Sequence, residues 1–506
     1  MASRVSRWSK LFFIFIPVLM VGSLVIQSVS ALSADVYESH DSAPEAILDY
    51  GVAPLWANPI QQNPFLALPL QQASSVGQWS DVQQWPLVAI HAAMLQNGDI
   101  IMWDRENQAT TSMRLYRPNT NSFTKIADPN GASVFCAGFD VLLDGRVLLN
   151  GGHLITGDNY GLVDTNIYNP ATGSWSAAGD MAQARWYPTT ITLGDGRLLT
   201  MGGSITPTSV ATIPEIYNPT SGIWTQIGTA ASSQPNIGLY PKLHLLPNGK
   251  VLWAYSGVRS KLFDPSNGKW TDLTPTNSSP RAFTSVQYRP GKIMSAGSGK
   301  NTAVLDMNQT TPDWRVTQPM SYSRYNLNLT VLPDGNVLAV GGSNNNTNAD
   351  YSAVRPAEMW DADTETWTLL PSMATPRMYH SIAVLLQDGR VLVAGGGRAG
   401  TQTNYLNAEF YSPPYLFKGA RPTITYAPSQ APYGANMTVL TPDANSITSA
   451  VLIPNPNVTH AINFNQRYVP LNFTRNDSGR LTVQIPSSTN LLPPGFYMLF
   501  LLNSNG

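Results

Sequence analysis

Counting nine residues back from the glycine of a recurring turn places three chemically able side chains in one register: Cys136 before Gly145, Tyr187 before Gly196 and His380 before Gly389. A thiol, a phenol and an imidazole are groups that give up electrons or carry protons, and Tyr379 stands beside the imidazole. The same count elsewhere finds Ala89, Tyr240, Ala282 and Asn326, so the position needs no redox-active residue in order to fold. Taken singly, each group has a plainer explanation. Cys136, the one cysteine in the chain, could be a small buried hydrophobe, and a histidine or tyrosine is usually a core residue with a satisfied polar atom. Their shared register is what argues for chemistry.

The elements that must position them are visible as a repeat. Asn97-Gly98, Asp144-Gly145, Asp195-Gly196, Asn248-Gly249, Pro290-Gly291, Asp334-Gly335 and Asp388-Gly389 recur at intervals of roughly 42 to 54 residues, the kelch range. Each lies between short apolar runs, as Val147-Leu148-Leu149 and Val391-Leu392-Val393 show, which is a hairpin signal. Many units continue into an aromatic turn and a tryptophan: Tyr168-Asn169-Pro170 with Trp175, Tyr217-Asn218-Pro219 with Trp224, Phe263-Asp264-Pro265 with Trp270, and Trp360-Asp361 with Trp367. A four-stranded blade cannot bury both faces alone, so the units must stack around an axis. The fold class expected is all-β: a seven-bladed kelch β-propeller over 76–417, followed by an immunoglobulin-like β-sandwich over 418–506, where the double-glycine repeat gives way to alternating segments. Gly77-Gln78-Trp79-Ser80 resembles Gly173-Ser174-Trp175-Ser176 and is expected to supply the last strand of the final blade, near Tyr411.

Composition narrows the partners. The chain has 506 residues, 30 Lys and Arg against 31 Asp and Glu, and only 12% charged residues, so attraction to nucleic acid or anionic lipid is not expected. Arg4, Arg7 and Lys10, the apolar stretch Leu11 to Ile26 and the small residues up to Ala31 read as a secretory signal over 1–31, or as an uncleaved anchor. The segment 32–75 shows no repeat and reads as an N-terminal extension. Sequons at Asn277, Asn308, Asn328, Asn345, Asn436, Asn457, Asn472 and Asn476 agree with export and glycosylation in a eukaryotic host. The protein is expected to be extracellular, whether free, wall-associated or membrane-associated. No segment signals oligomerisation, and a monomer is the expectation. The chain stops just after the strand Phe496 to Leu502, so the sandwich reads as a truncated one.

Four elements in order carry a resemblance to the copper-radical oxidases, the galactose oxidase and glyoxal oxidase family: Phe135-Cys136-Ala137-Gly138; Ala184-Arg185-Trp186-Tyr187; Arg377-Met378-Tyr379-His380-Ser381; and Thr459-His460 with Asn465-Gln466-Arg467. The resemblance implies one copper ion held by Tyr187, Tyr379, His380 and His460, and a Cys-Tyr thioether radical cofactor formed from Cys136 and Tyr187. It implies oxidation of a small aldehyde or primary alcohol, with O2 reduced to hydrogen peroxide, which extracellular peroxidases could use. Tyr379 would take the substrate proton and Tyr187 the hydrogen. Trp186 would shield the radical or line the substrate mouth, although packing explains it as well. Galactose oxidase carries a tryptophan in the loop after the radical tyrosine, whereas Ser204-Ile205-Thr206-Pro207-Thr208 has none. That loop argues against galactose as the substrate; the Arg185-Trp186-Tyr187 motif and the lack of a sugar-binding front domain resemble the glyoxal oxidase branch, whereas Asn465-Gln466-Arg467 resembles galactose oxidase. His91, His153 and His244 fall outside these motifs and are expected to be structural or peripheral. The competing reading is a non-catalytic secreted kelch propeller that binds glycan or protein ligands.

Overall fold

A computed structural model describes residues 70–506 apart from 106–110, 130–132, 155–159, 229–233, 256–259, 274–282, 401 and 477–478. The signal segment, the extension up to residue 69, the sequon at Asn277 and the register residue Ala282 lie outside the described residues. Within them, the short helix Leu70–Val76 runs across the boundary expected at 75.

The chain is all-β. Each hairpin forms where a turn dipeptide ends in glycine: φ is 82–86° at Gly98, Gly145, Gly196, Gly249, Gly335 and Gly389 and 69° at Gly291, a left-handed conformation that costs glycine least. The strands assemble as consecutive antiparallel sheets. The first contains His91–Met94, Ile100–Arg105, Thr111–Arg117 and Ser122–Ile126. The second opens with Gly138–Val141, the third with Thr189–Thr192, the fourth with Leu243–Leu245, the fifth with Thr284–Arg289 and the sixth with Tyr325–Val331. In the seventh, Ser381–Leu385, Val391–Gly395 and Asn407–Ser412 are joined by Gln78–Trp79 from the other end of the chain, with Trp79 opposite Tyr411. Inner strands such as Val391–Gly395 are buried at every position, as expected when neighbouring sheets cover both faces.

The tryptophans of the repeat have a definite job. Trp175, Trp224 and Trp270 sit opposite Tyr168, Tyr217 and Phe263 on the next strand, each pair with ring centroids 5.1 Å apart. Their indole N–H groups reach across to the preceding sheet or the segment before their own: Trp224 donates to Thr165 (2.8 Å), Trp367 to Thr302 (3.1 Å) and Trp79 to the Pro371 carbonyl (2.8 Å). One side chain thus supplies both cross-strand packing and a staple to its neighbour.

After residue 418 the strands form two three-stranded sheets. One contains Asn436–Leu440, Arg480–Gln484 and Phe473–Asn476; the other contains Val469–Leu471, Ile447–Pro454 and Tyr497–Asn503. Val439, Ala450, Leu481 and Val483 lie in the core between them. Asn457–Thr459 leaves this domain and pairs with His91–Met94, with Thr459 opposite His91, so a finger of the C-terminal domain becomes an extra strand of the first sheet. This burial corrects two of the sequons. Asn328 and Asn457 are each 2% exposed, and their amides donate to Ser381 and Asp140, so neither can carry a glycan in the folded protein.

Candidate metal centre

The shared register has a conformational signature that its residue types did not reveal. Cys136, Tyr187, Tyr240, Asn326 and His380 all have left-handed backbones, with φ of 58, 61, 41, 58 and 66°, whereas Ala89 in the same register does not. His460, on the finger, adopts φ 48°. Such angles cost a non-glycine residue about 1–2 kcal/mol and persist only where surrounding structure enforces them. Part of the enforcement is a chain of backbone bonds from sheet to sheet: Tyr187 N–H donates to Cys136 O (2.9 Å) and Tyr240 N–H to Tyr187 O (2.7 Å).

This geometry brings the expected residues together. The Tyr187 and Tyr379 hydroxyls share a hydrogen bond of 2.8 Å. The His460 ring lies 4.8 Å from Tyr187, 5.4 Å from Tyr379 and 4.5 Å from His380, centroid to centroid, and is nearly perpendicular to Tyr187 and His380. Cys136 Sγ is 3.7 Å from His460 Nε2. All five are buried, the most open at 8%. His380 Nδ1 lies 2.6 Å from Gly397 O, a contact that requires its proton and leaves the lone pair on Nε2, as a metal-binding imidazole needs. His460 Nδ1 is engaged by Thr459 Oγ1 at 2.5 Å. Two imidazoles and two phenol oxygens form a nitrogen and oxygen donor set suited to a tetragonal transition metal. His91 also lies in this cluster, with its donor atom within 4.8 Å of those of Cys136 and His460. Its Nε2 accepts the Cys136 N–H (3.1 Å) and its Nδ1 meets Trp103 O (3.2 Å), so both nitrogens are committed to the protein. We therefore assign it to holding Cys136 and not to the ligand set.

Trp186 packs edge-on against Tyr187 at 4.1 Å and is 3% exposed. Its N–H and carbonyl pair with Ser204, the first residue of the loop that lacks a tryptophan. The indole immediately before the tyrosine therefore covers it. His153 lies 5.6 Å from Trp186. His244 is away from the cluster, bonded to Ser285 (2.8 Å), and burial, then Arg467, push its pKa down to about 3. His91, expected to be structural or peripheral, lies inside the cluster beside Cys136 and His460. Tyr240, whose register position alone marked it, lies 4.8 Å from both Tyr187 and His460. Its hydroxyl donates to Ala137 O (3.0 Å), and burial, reinforced by Cys136, holds its pKa well above the usual phenol value.

Three buried ion pairs brace the register. Arg185 meets Glu215 at 2.9 Å and Arg324 meets Glu358 at 2.9 Å, both pairs with side chains fully buried. Each glutamate also accepts two backbone N–H groups from the segment leading to its arginine: Ala182 and Gln183, or Ser321 and Tyr322. Each arginine donates to the first carbonyl of a double glycine, Gly202 or Gly341. Arg377 repeats the pattern with Gly395 and Glu409, but it stands three residues before the register residue His380, where Arg185 and Arg324 stand two before Tyr187 and Asn326. The extra residue makes room for Tyr379. Its cost is visible: Arg377 reaches Glu409 only at 3.7 Å, gives one donor to Asn407 (2.6 Å), and is pushed by burial to a pKa of about 10.

Comparison with known proteins places this geometry. Residues 421–506 match the family model "Galactose oxidase-like, Early set domain", and residues 281–415 match "Glyoxal oxidase N-terminus". A galactose oxidase of Gibberella zeae is 28% identical over 490 residues, covering 85% of this chain and 69% of that protein. The aldehyde oxidase GLOX of Vitis pseudoreticulata is 25% identical over 495 residues, covering 82% of this chain and 92% of that protein. Among solved structures, a fungal alcohol oxidase of the AA5 family in complex with copper superposes with a TM-score of 0.77 at 25% identity, covering 85% of this chain and 98% of that one. The resemblance read from four short sequence elements is therefore shown: the chain is similar to galactose oxidase and to aldehyde oxidases of the GLOX type.

Proposed function

We propose that this protein is an extracellular copper-radical oxidase that converts a small aldehyde or primary alcohol, with O2 as acceptor and hydrogen peroxide as co-product. One observation carries the reading: two phenols, two imidazoles and the sole thiol, drawn from the second, third and seventh sheets and the C-terminal finger, meet in one buried cluster in which the Tyr187 and Tyr379 oxygens are 2.8 Å apart. In this reading the seven sheets are the blades of a closed propeller, sealed where Trp79 pairs with Tyr411. Residues 76–417 form that domain, and 418–506 a sandwich whose finger completes the site.

Tyr187, Tyr379, His380 and His460 would hold the metal. Copper, when bound there, would supply one of the two one-electron carriers that a two-electron oxidation requires. The second carrier would be Tyr187, once joined to Cys136 through a carbon–sulfur bond that lowers the cost of oxidising the phenol. Tyr379 accepts the substrate hydroxyl proton, its oxygen already sharing a hydrogen with Tyr187. The Tyr187 oxygen takes the hydrogen atom from the substrate carbon. Trp186, edge-on to that ring and nearly closed to solvent, keeps water and reductants from the radical. For a primary alcohol the balance is RCH2OH + O2 → RCHO + H2O2; a hydrated aldehyde gives the acid in the same way. The Trp186 arrangement favours an aldehyde of the kind taken by the glyoxal oxidase branch.

The test is mass spectrometry of the Cys136 and Tyr187 peptides after copper loading in air. A joined pair lighter by two hydrogens supports the radical cofactor. Separate peptides with a free thiol, in protein shown to contain copper, sink it and leave a simple metal site; protein that binds no copper returns the chain to the ligand-binding propeller.

A further inference from the structure

His460 is the one proposed ligand that no sheet of the repeat carries. It rides on the finger between Asn457 and Asn465, and the structure shows what holds that finger. Asp140, 3% exposed in the strand Gly138–Val141, accepts four hydrogen bonds. Oδ1 takes the Asn457 amide (2.7 Å) and its neighbour's Val141 N–H (2.8 Å); Oδ2 takes the Asn465 amide (2.7 Å) and the Thr192 hydroxyl (2.6 Å). Asn465 is itself gripped by Thr192 N–H at 3.1 Å. One carboxylate thus ties both ends of the finger to the sheet of Cys136 and to the sheet of Tyr187. No ion pair within bonding distance engages Asp140 among the described residues, and its four donors are neutral, with Arg467 acting on it only across a gap; a buried carboxylate held mainly by neutral donors is costly.

We propose that Asp140 is a positioning residue for His460: its carboxylate clasps Asn457 and Asn465 and thereby fixes where the imidazole meets the Cys136 and Tyr187 sheets. The proposal rests on the reading of His460 as a metal ligand. Other contacts pin the finger elsewhere, Thr284 to the Ala461 carbonyl and Gln466 to Val331 and Leu329, but among the described residues outside the finger Asp140 is the one side chain bonded to both Asn457 and Asn465. A carboxylate acting through neighbouring groups to orient a ligand tunes metal affinity by 10- to 100-fold in other sites.

The experiment compares wild type with Asp140→Asn, which keeps the shape but turns one acceptor into a donor facing donors, and with the milder Asn465→Ala. In the metal-free full chain, hydrogen exchange of 457–466 is expected to accelerate at least ~10-fold in Asp140→Asn while the fifth and sixth sheets stay protected. Unchanged exchange in the finger, or acceleration across all sheets, overturns the clasp. Copper titration is expected to show affinity lowered roughly 10- to 100-fold by Asp140→Asn and less by Asn465→Ala. In a His460→Ala background, Asp140→Asn should add no further loss; an equal loss there overturns action through His460. Wild type that binds no copper refutes the proposed function, whereas the exchange comparison judges the clasp independently. Should Asp140→Asn not fold, Asn465→Ala decides both readouts, and wild-type values in it overturn the proposal.

Discussion

The three arginine–glutamate clamps offer one perturbation in three settings. Arg324→Met removes a guanidinium that bonds Glu358, the Gly341 carbonyl and the Pro356 carbonyl, all in the interior. Glu358 keeps only the Ser321 and Tyr322 amides and becomes a buried charge without a cation, a loss of about 3–5 kcal/mol. With an unfolding entropy of about 2.1 cal/mol/K per residue, a chain of this size changes Tm by roughly 1 °C per kcal/mol, so a fall of about 4 °C is expected. Arg377→Met should cost less, about 2 kcal/mol, because that clamp is already stretched to 3.7 Å, while Glu409 keeps the Ala374 and Thr375 N–H groups just as Glu358 keeps its own two. Metal binding should show the reverse order. Arg324 precedes Asn326, which offers nothing to the cluster, whereas Arg377 leads directly into Tyr379 and His380. Denaturant titration and copper titration of the two variants measure both quantities. If Arg377→Met proves the more destabilising, or if Arg324→Met weakens copper as much as Arg377→Met, the argument that the inserted residue trades clamp strength for a phenol is refuted.

Two further outcomes are expected. Lys242 lies over the Phe283 ring at 5.6 Å, and burial lowers its pKa to about 8 from 10.5; between these values the unfolded chain binds more protons than the folded one, so stability should rise with pH through that window and the penalty should be complete below pH 8. Lys242→Met should therefore gain about 1–3 kcal/mol at pH 7 and flatten the rise, as denaturant titrations at pH 7 and pH 10 would show. His91→Phe removes the acceptor of the Cys136 N–H while keeping a ring against Trp103, which His91 stacks at 4.7 Å and 2°; the left-handed turn at Cys136 should loosen, and the yield of joined Cys136–Tyr187 peptide after copper loading should fall several-fold relative to wild type.

Much of the architecture was legible because the repeat is written in turn chemistry: a glycine after Asn or Asp marks each hairpin, and counting back from it finds the innermost position of a sheet. That count placed Cys136, Tyr187 and His380 at one end before any contact was known. It could not announce that the position is left-handed, because cysteine, tyrosine and histidine carry no sign of a positive φ as glycine does. Tyr240 was in the register and was passed over because phenols are common in cores; its place two sheets from Cys136 was the available signal. His91 was missed for a different reason. It stands two residues beyond Ala89, at the start of the strand His91–Met94, and a count restricted to one position does not see it. The shift of Arg377 by one residue relative to Arg185 and Arg324 was readable by comparing the repeats with each other. Asp140 also had a signal, as the one charge in Gly138-Phe139-Asp140-Val141. The finger had none, since pairing Asn457 with Ala93 joins segments that no local pattern connects. The two buried sequons failed because a tripeptide rule ignores strand burial.

The finger sets a condition on when the protein can become oxidising. Cys136 and His460 touch across 324 positions of sequence, and the segments that form most of the sheets lie between them in the chain. A chain emerging from synthesis can hold the thiol and the first phenol for the whole time that the remaining sheets are being made, yet lack the imidazole that would complete a copper site beside them. In the reading proposed above, maturation would thereby wait for the end of the chain: a molecule without its finger would lack the chemistry that could damage it, and only a finished one would be armed.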